Sequence, residues 1–220
     1  MKTLKESLLS DIETNMAKGK EAEEDIIKEQ ILNFILTSGV YEYNNFTASD
    51  KLFNIYKKRN KWYVDVNSYI TCYCTEDGHI TDGTFSFGTV KGDFVVTNKN
   101  GNTQCPCVSL NGCPEIVKGS FYIMNSPNLK DLKGCPKNVF YEILIQKTGI
   151  TTLKYFPVTA TTVTIIDNKE LKTLNKAGRC YIETLVKIYN NGIPFTKGDI
   201  VEMPWVIRNT KTYKSIISDK

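Results

Sequence analysis

Seven cysteines and one histidine are the residues of this chain with the most chemistry to offer. Two Cys-x-Cys pairs stand out, Cys72 with Cys74 and Cys105 with Cys107, beside the single cysteines Cys113, Cys135 and Cys180. Zinc sites ordinarily separate paired cysteines by two to four residues and complete the tetrahedron with further ligands at set spacings. A single intervening residue instead puts both side chains on one face of an extended strand, as two core residues would be. Neither a metal nor another cofactor is expected. A nucleophile needs a base within hydrogen-bond reach, and His79 follows Asp77-Gly78 in a turn, where exposure is expected. The chain has no G-x-x-x-x-G-K-[ST] or G-x-G-x-x-G phosphate loop. It is expected not to be an enzyme. The odd cysteine count, and an opening Met1–Glu13 that alternates charge with leucine and lacks an apolar signal core, point to reduced thiols in a cytosol.

The cysteines sit in a repeat, and the repeat decides what positions them. The frame L-x-G-C-P-x-x-V occurs at Leu110–Val117 and returns 22 residues later at Leu132–Val139. It then decays but keeps phase: Leu132, Leu153 and Leu174 are 21 apart, as are Leu129, Ile150 and Leu171. Upstream, Val90-Lys91-Gly92-Asp93-Phe94 returns as Val117-Lys118-Gly119-Ser120-Phe121. A fixed period in the low twenties is the signature of a solenoid coil. Strands are predicted at Phe121–Ile123, Ile143–Ile145 and Val163–Ile165, stacked as a parallel sheet with alternate residues inward. Cys113 and Cys135 share a repeat position and should stack as small buried side chains.

Four segments follow. Residues 1–40 form a helical N-terminal segment, with helical spacing over 2–16 and 21–37 interrupted at Ala17-Lys18-Gly19-Lys20. Residues 41–89 read as a β-rich N-terminal cap, with Asp77-Gly78 as a hairpin turn between Tyr69–Cys74 and Thr84–Val90. Residues 90–177 are the solenoid, and 178–220 a C-terminal cap opening on a helix through Ile182, Leu185, Val186 and Tyr189. Net charge is +4, split as −3 over residues 1–40 and +7 over the rest. So mild a bias leaves nucleic acid unexpected as a partner, and no apolar run is long enough to span a membrane.

With catalysis set aside, surface features carry the functional reading. Period two places Tyr122, Leu144 and Thr164 together on the outer face of adjacent strands, with Tyr141 at the rim. An outward apolar patch of this kind suits a protein contact or a second copy of the chain. Insertions in a solenoid bulge from one face, often the binding face, which adds Lys99, Asn100 and Asn102 of the polar loop Lys99–Gln104.

The phrase G-x-F-x-F-G-x-V-x-G-D-F at Gly83–Phe94, followed by the L-x-G-C-P-x-x-V units, resembles the leucine-rich-repeat-like proteins of tailed phages of gut bacteria, crAss-like phages among them. The opening Met1–Leu9 is similar to a leader on many proteins of such phages. The resemblance implies an α+β fold: a short leucine-rich-repeat-like parallel β-solenoid with a helical N-terminal segment and a C-terminal cap. It implies no catalytic residues. The expected role is a non-enzymatic interaction module of a bacteriophage, binding or inhibiting a host or defence protein in the host cytoplasm. The alternative is a structural or packaged protein of the virion.

Overall fold

The computed structural model describes residues 4–43, 52–99, 103–174, 179–192 and 205–207, with backbone alone for 4–18 and 205–207. The chain divides into two compact units, Met1–Ser38 and Gly39–Lys220.

The first unit is a single helix, α1 (Leu4–Thr37), where the sequence predicts two. Gly19 lies inside it. One glycine costs a helix about 1 kcal/mol relative to alanine, and its neighbours Ala17, Lys18 and Lys20 are good helix formers, so the backbone ladder runs through. The helix ends where Ser38 N donates to Phe34 O at 3.0 Å and Gly39 turns left-handed at φ +69°.

The second unit is built of strands. In chain order they are β1 (Tyr41–Tyr43), β2 (Phe53–Lys58), β3 (Lys61–Val66), β4 (Ile70–Cys72), β5 (Phe85–Val90) and β6 (Phe94–Val96). There follow β7 (Ile116–Val117), β8 (Phe121–Met124), β9 (Asn138–Val139), β10 (Glu142–Gln146), β11 (Thr159–Ile166), β12 (Cys180–Tyr189) and β13 (Trp205–Ile207). Two parallel strips result. One runs β4-β6-β8-β10-β11, the other β3-β5-β7-β9-β11, and β12 lies against the whole of β11. This is a parallel β-solenoid of about five turns. Among the described residues, antiparallel pairing is confined to its start, where β1 joins β4 and β2 joins β3.

Alternation along each strand fills the coil. Phe94, Phe121, Ile143, Val163 and Val186 form one inward row, in register across five strands and buried. Val96, Ile123, Ile145, Ile165 and Ile188 form the next. On the remaining side Leu110, Leu132, Leu153 and Leu174 are all buried, completing an apolar ladder from coil to coil. Burying each such side chain contributes about 1.5–3 kcal/mol.

Two turns per coil depend on backbone that most residues avoid. After the β8 strip the chain turns through Asn125, Lys147, Asp167 and Asn190, all left-handed, with φ of 53°, 52°, 59° and 54°. At the other turn Gly112 and Gly134 hold φ of 96° and 92°, and Tyr155, 21 residues on from Gly134, holds 69°. The third coil thus keeps its geometry without a Gly-Cys-Pro turn. At the corner between strips, coils approach so closely that a Cβ on Gly119 would lie 2.4 Å from the carbonyl carbon of Gly92. The repeated V-K-G phrase marks this contact.

Three expectations are corrected. The segment predicted as a capping helix is strand β12, in parallel register with β11 from Thr159↔Tyr181 to Ile166↔Tyr189. Its register shifts between Ala160 and Thr162, so inward Ile182 and Val186 are four residues apart and imitate a helix. The parallel stack therefore continues past residue 177, and residues 193–204 and 208–220 of the expected cap lie outside the described residues. The Asp77-Gly78 turn exists, with Gly78 N donating to Thr75 O at 2.9 Å. Yet it joins no hairpin, because β4 pairs with β6 and β5 with β3. Those same pairings start the solenoid at β3 and β4, ahead of residue 90. Among the described residues no helix is long and apolar enough to cross a membrane.

Candidate functional site

The outer face of the first strip carries the row in which the sequence places its binding patch. Register aligns Val95, Tyr122, Leu144, Thr164 and Lys187 on neighbouring strands. The row is less open than expected. Tyr122 and Leu144 are half-buried, and Thr164 is buried at 8% exposure. A carboxylate explains part of this. Glu142 accepts from the Thr164 hydroxyl at 2.9 Å and from the Tyr122 hydroxyl at 3.4 Å. Both polar ends are thus tied across adjacent strands, and burial pushes the Tyr122 phenol above its ordinary pKa. Tyr141 is 62% exposed. Lys99 is exposed, while Asn100 and Asn102 lie outside the described residues.

The second strip holds a better-formed feature. Its outward row is Ile116, Asn138, Thr159 and Tyr181, in register on β7, β9, β11 and β12. One step further along lie Lys118, Phe140, Thr161 and Glu183. Together they line a groove of about 520 Å³ with a predominantly apolar surface. The small side chains Thr159, Ala160 and Thr161 leave the space, and Phe140 and Tyr181 stand beside it. Threonines hold its walls: Thr161 donates to Phe140 O at 2.7 Å, and Thr184 donates to Thr161 O at 2.9 Å.

Two large exposed side chains, Phe140 and Tyr181, line this groove. Phe140 is 55% exposed, with Tyr155, Val158 and Tyr181 also exposed on the same coils. The Arg179 guanidinium lies 5.1 Å from the Tyr181 ring centroid and Lys154 Nζ 4.8 Å from that of Tyr155. At the other rim Lys137 and Glu115 pair at 2.8 Å, which holds the Glu115 carboxyl below its usual range. Sequence reasoning missed Phe140, Tyr155 and Tyr181. The signal available was departure from the repeat. Phe140 stands where Lys91 and Lys118 stand in other coils, and Tyr155 where Gly112 and Gly134 stand.

The groups that could do chemistry are placed otherwise. His79 is exposed, on a turn where its N–H donates to Thr75 Oγ1 at 3.0 Å. Cys113 is buried and Cys135 half-buried; burial pushes both thiols well above their ordinary pKa. Among the described residues no group of three or more His, Cys, Asp or Glu side chains is arranged to hold a metal ion.

A further row that sequence reasoning passed over serves structure. Thr148, Asn168 and Asn191 follow the left-handed turn residues of successive coils. Asn168 Oδ1 accepts from Thr148 N at 2.9 Å and from its hydroxyl at 2.7 Å, while Asn168 Nδ2 donates to Ile145 O and Ile166 O at 3.0 Å each. Asn191 Nδ2 repeats the pattern on Ile165 O and Tyr189 O. The amides stitch one coil to the next at the turn. Compared with protein-family models, with curated proteins and with solved structures, the chain shows no match.

Proposed function

We propose that the protein is a non-enzymatic binding module whose leucine-rich-repeat-like coils form a rigid platform for a protein partner, and that contact is made at the groove beside Phe140 and Tyr181. The observation that carries this reading is a pair of exposed aromatic side chains, Phe140 and Tyr181, lining an apolar groove. Phe140 and Tyr181 face solvent there, while Tyr155 is exposed on a neighbouring turn and Tyr69, Val108, Tyr141 and Tyr189 are exposed elsewhere on the scaffold. Aromatic side chains beside a pocket are the usual anchors of protein interfaces, since they bury much area at little entropic cost. The cations Lys154 and Arg179 near two of the rings suit a partner with an acidic rim. The resemblance to phage repeat proteins makes a host or defence protein the partner of choice.

The test is a comparison of affinity capture. The chain and its Phe140→Ser/Tyr181→Ser variant are immobilised and exposed to lysate of the infected host. The reading expects one protein retained in stoichiometric amount by the chain and lost by the folded variant. Equal retention by both would place the contact elsewhere, first of all on Tyr122 and Leu144.

A further inference from the structure

The two Cys-x-Cys pairs, far apart in sequence, meet in the fold. Cys74 follows β4, and Cys105 lies in the irregular segment between β6 and β7. Their Sγ atoms are 3.9 Å apart, and both residues are buried. All seven cysteines are free. We propose that Cys74 and Cys105 are a redox site that closes to a disulfide when the protein meets hydrogen peroxide.

Geometry supports this pairing over the others. A disulfide needs the sulfurs at about 2.05 Å, so they must close by about 1.9 Å. Neither cysteine belongs to a strand, which leaves that adjustment to local backbone. Cys74 holds a left-handed φ of 63°, as Asn125, Lys147, Asp167 and Asn190 do at the same turn of later coils, so the repeat itself fixes its position. The flanking thiols lie close too, Cys72 Sγ accepting from Cys74 N at 3.4 Å and Cys107 also acting on the Cys74 thiol, though each has a carbonyl within reach, Ile80 O at 3.8 Å and Ser109 O at 3.6 Å.

Reactivity divides the pair in a useful way. Either sulfur can donate in this contact; with Cys74 as the donor, the Cys105 thiol lies below its ordinary pKa and that of Cys74 above it. That direction suits Cys105 as the nucleophile and Cys74 as the resolving cysteine. Burial pushes Cys180 up to about 12, and Cys113 and Cys135 well upward, so these stay protonated. In the reaction the Cys105 thiolate attacks one peroxide oxygen. The O–O bond breaks, the second oxygen leaves as hydroxide and takes a proton to become water, and Cys105 is a sulfenic acid. Cys74 sulfur then attacks the sulfenic sulfur, the S–O bond breaks, and a second water leaves with the thiol proton. Two thiols are oxidised and one peroxide is reduced to two waters. The bond ties the turn after β4 to the coil above it and closes a loop containing Lys99.

The experiment uses the full chain, reduced and freed of reductant, then treated with hydrogen peroxide. Intact mass and peptide mapping should show loss of two hydrogens and a cross-link between the Cys74 and Cys105 peptides, reversed by dithiothreitol. In the Cys74→Ser variant Cys105 should instead be trapped by dimedone as a sulfenic acid. A cross-link between any other pair, oxygen added at Cys105 of the unmodified chain without a cross-link, or no change in mass would each overturn the proposal. The map of the unmodified chain decides the matter even where the variant fails to fold.

Discussion

Replacing Asn168 with alanine should be among the most damaging single changes available in the solenoid. Its side chain is fully buried. Its oxygen holds the Thr148 N–H and hydroxyl, and its NH2 group holds the carbonyls of Ile145 and Ile166. The hydroxyl can turn to another acceptor. The Thr148 N–H and the Ile145 carbonyl cannot, and both belong to residues at most 4% exposed. A buried group left unpaired costs about 1–3 kcal/mol, so two give about 2–6 kcal/mol. Water entering the vacated space recovers part of that, and the expected loss is about 3–4 kcal/mol. At about 2–4 °C per kcal/mol for a unit of this size, the melting midpoint should fall by roughly 6–16 °C. Urea unfolding followed by circular dichroism measures the loss directly. Asn191→Ala, at a half-buried position where water can replace a side chain that holds two carbonyls and accepts from Asn168 N and Nδ2, should lose less, about 1–3 kcal/mol. A loss below about 1 kcal/mol for Asn168→Ala, or a larger loss for Asn191→Ala, would mean that the amide row does not join the coils as described.

Other expectations concern the turns, the core and the thiols. Tyr155→Gly should stabilise the protein by about 0.5–1 kcal/mol, because a left-handed non-glycine residue carries about 1–3 kcal/mol of strain that exceeds glycine's entropic penalty; a lower unfolding midpoint for the variant would contradict this. Leu132→Ala and Leu153→Ala should each lose about 2–5 kcal/mol in denaturant melts, whereas changes near zero would show that the 21-residue phase is accidental. Treatment with a zinc chelator should leave the melting midpoint unchanged, and stoichiometric zinc by elemental analysis would overturn the reading of the cysteines as reduced and metal-free.

How far the sequence carries depends on which residues repeat. The solenoid phase was readable because Leu110, Leu132, Leu153 and Leu174 must all be apolar to fill one continuous ladder, whatever surrounds them. The start of the stack was harder. Val66-Asn67-Ser68-Tyr69-Ile70 keeps the Val-to-apolar spacing of Val90–Phe94 but has Ser68 in place of glycine. The register of Val66 with Val90 and of Ile70 with Phe94, together with the backbone bond from Gly92 N to Ser68 O at 3.1 Å, shows the two to be equivalent. Strand β12 was misread because the irregularity in its pairing with β11 spaces inward residues as a helix would. Tyr181, Glu183, Lys187 and Tyr189 nevertheless alternate with buried neighbours on either side of that shift. The row of Tyr122, Leu144 and Thr164 followed from period two alone. The burial of Thr164 did not, since it involves the carboxylate of Glu142 on the adjacent strand β10. The groove was hidden for a related reason. Its depth comes from small residues at Thr159–Thr161 set between Phe140 and Tyr181, three segments that meet only once the coils are stacked.

The central claim is that a protein partner docks on the groove beside Phe140 and Tyr181. Amide hydrogen exchange of the chain, alone and saturated with the protein it captures, tests this most directly. Slowed exchange should be confined to residues 138–141, 158–161 and 179–183, with the rest of the solenoid unchanged. Protection centred on β8 and β10, or none on the second strip, would contradict it.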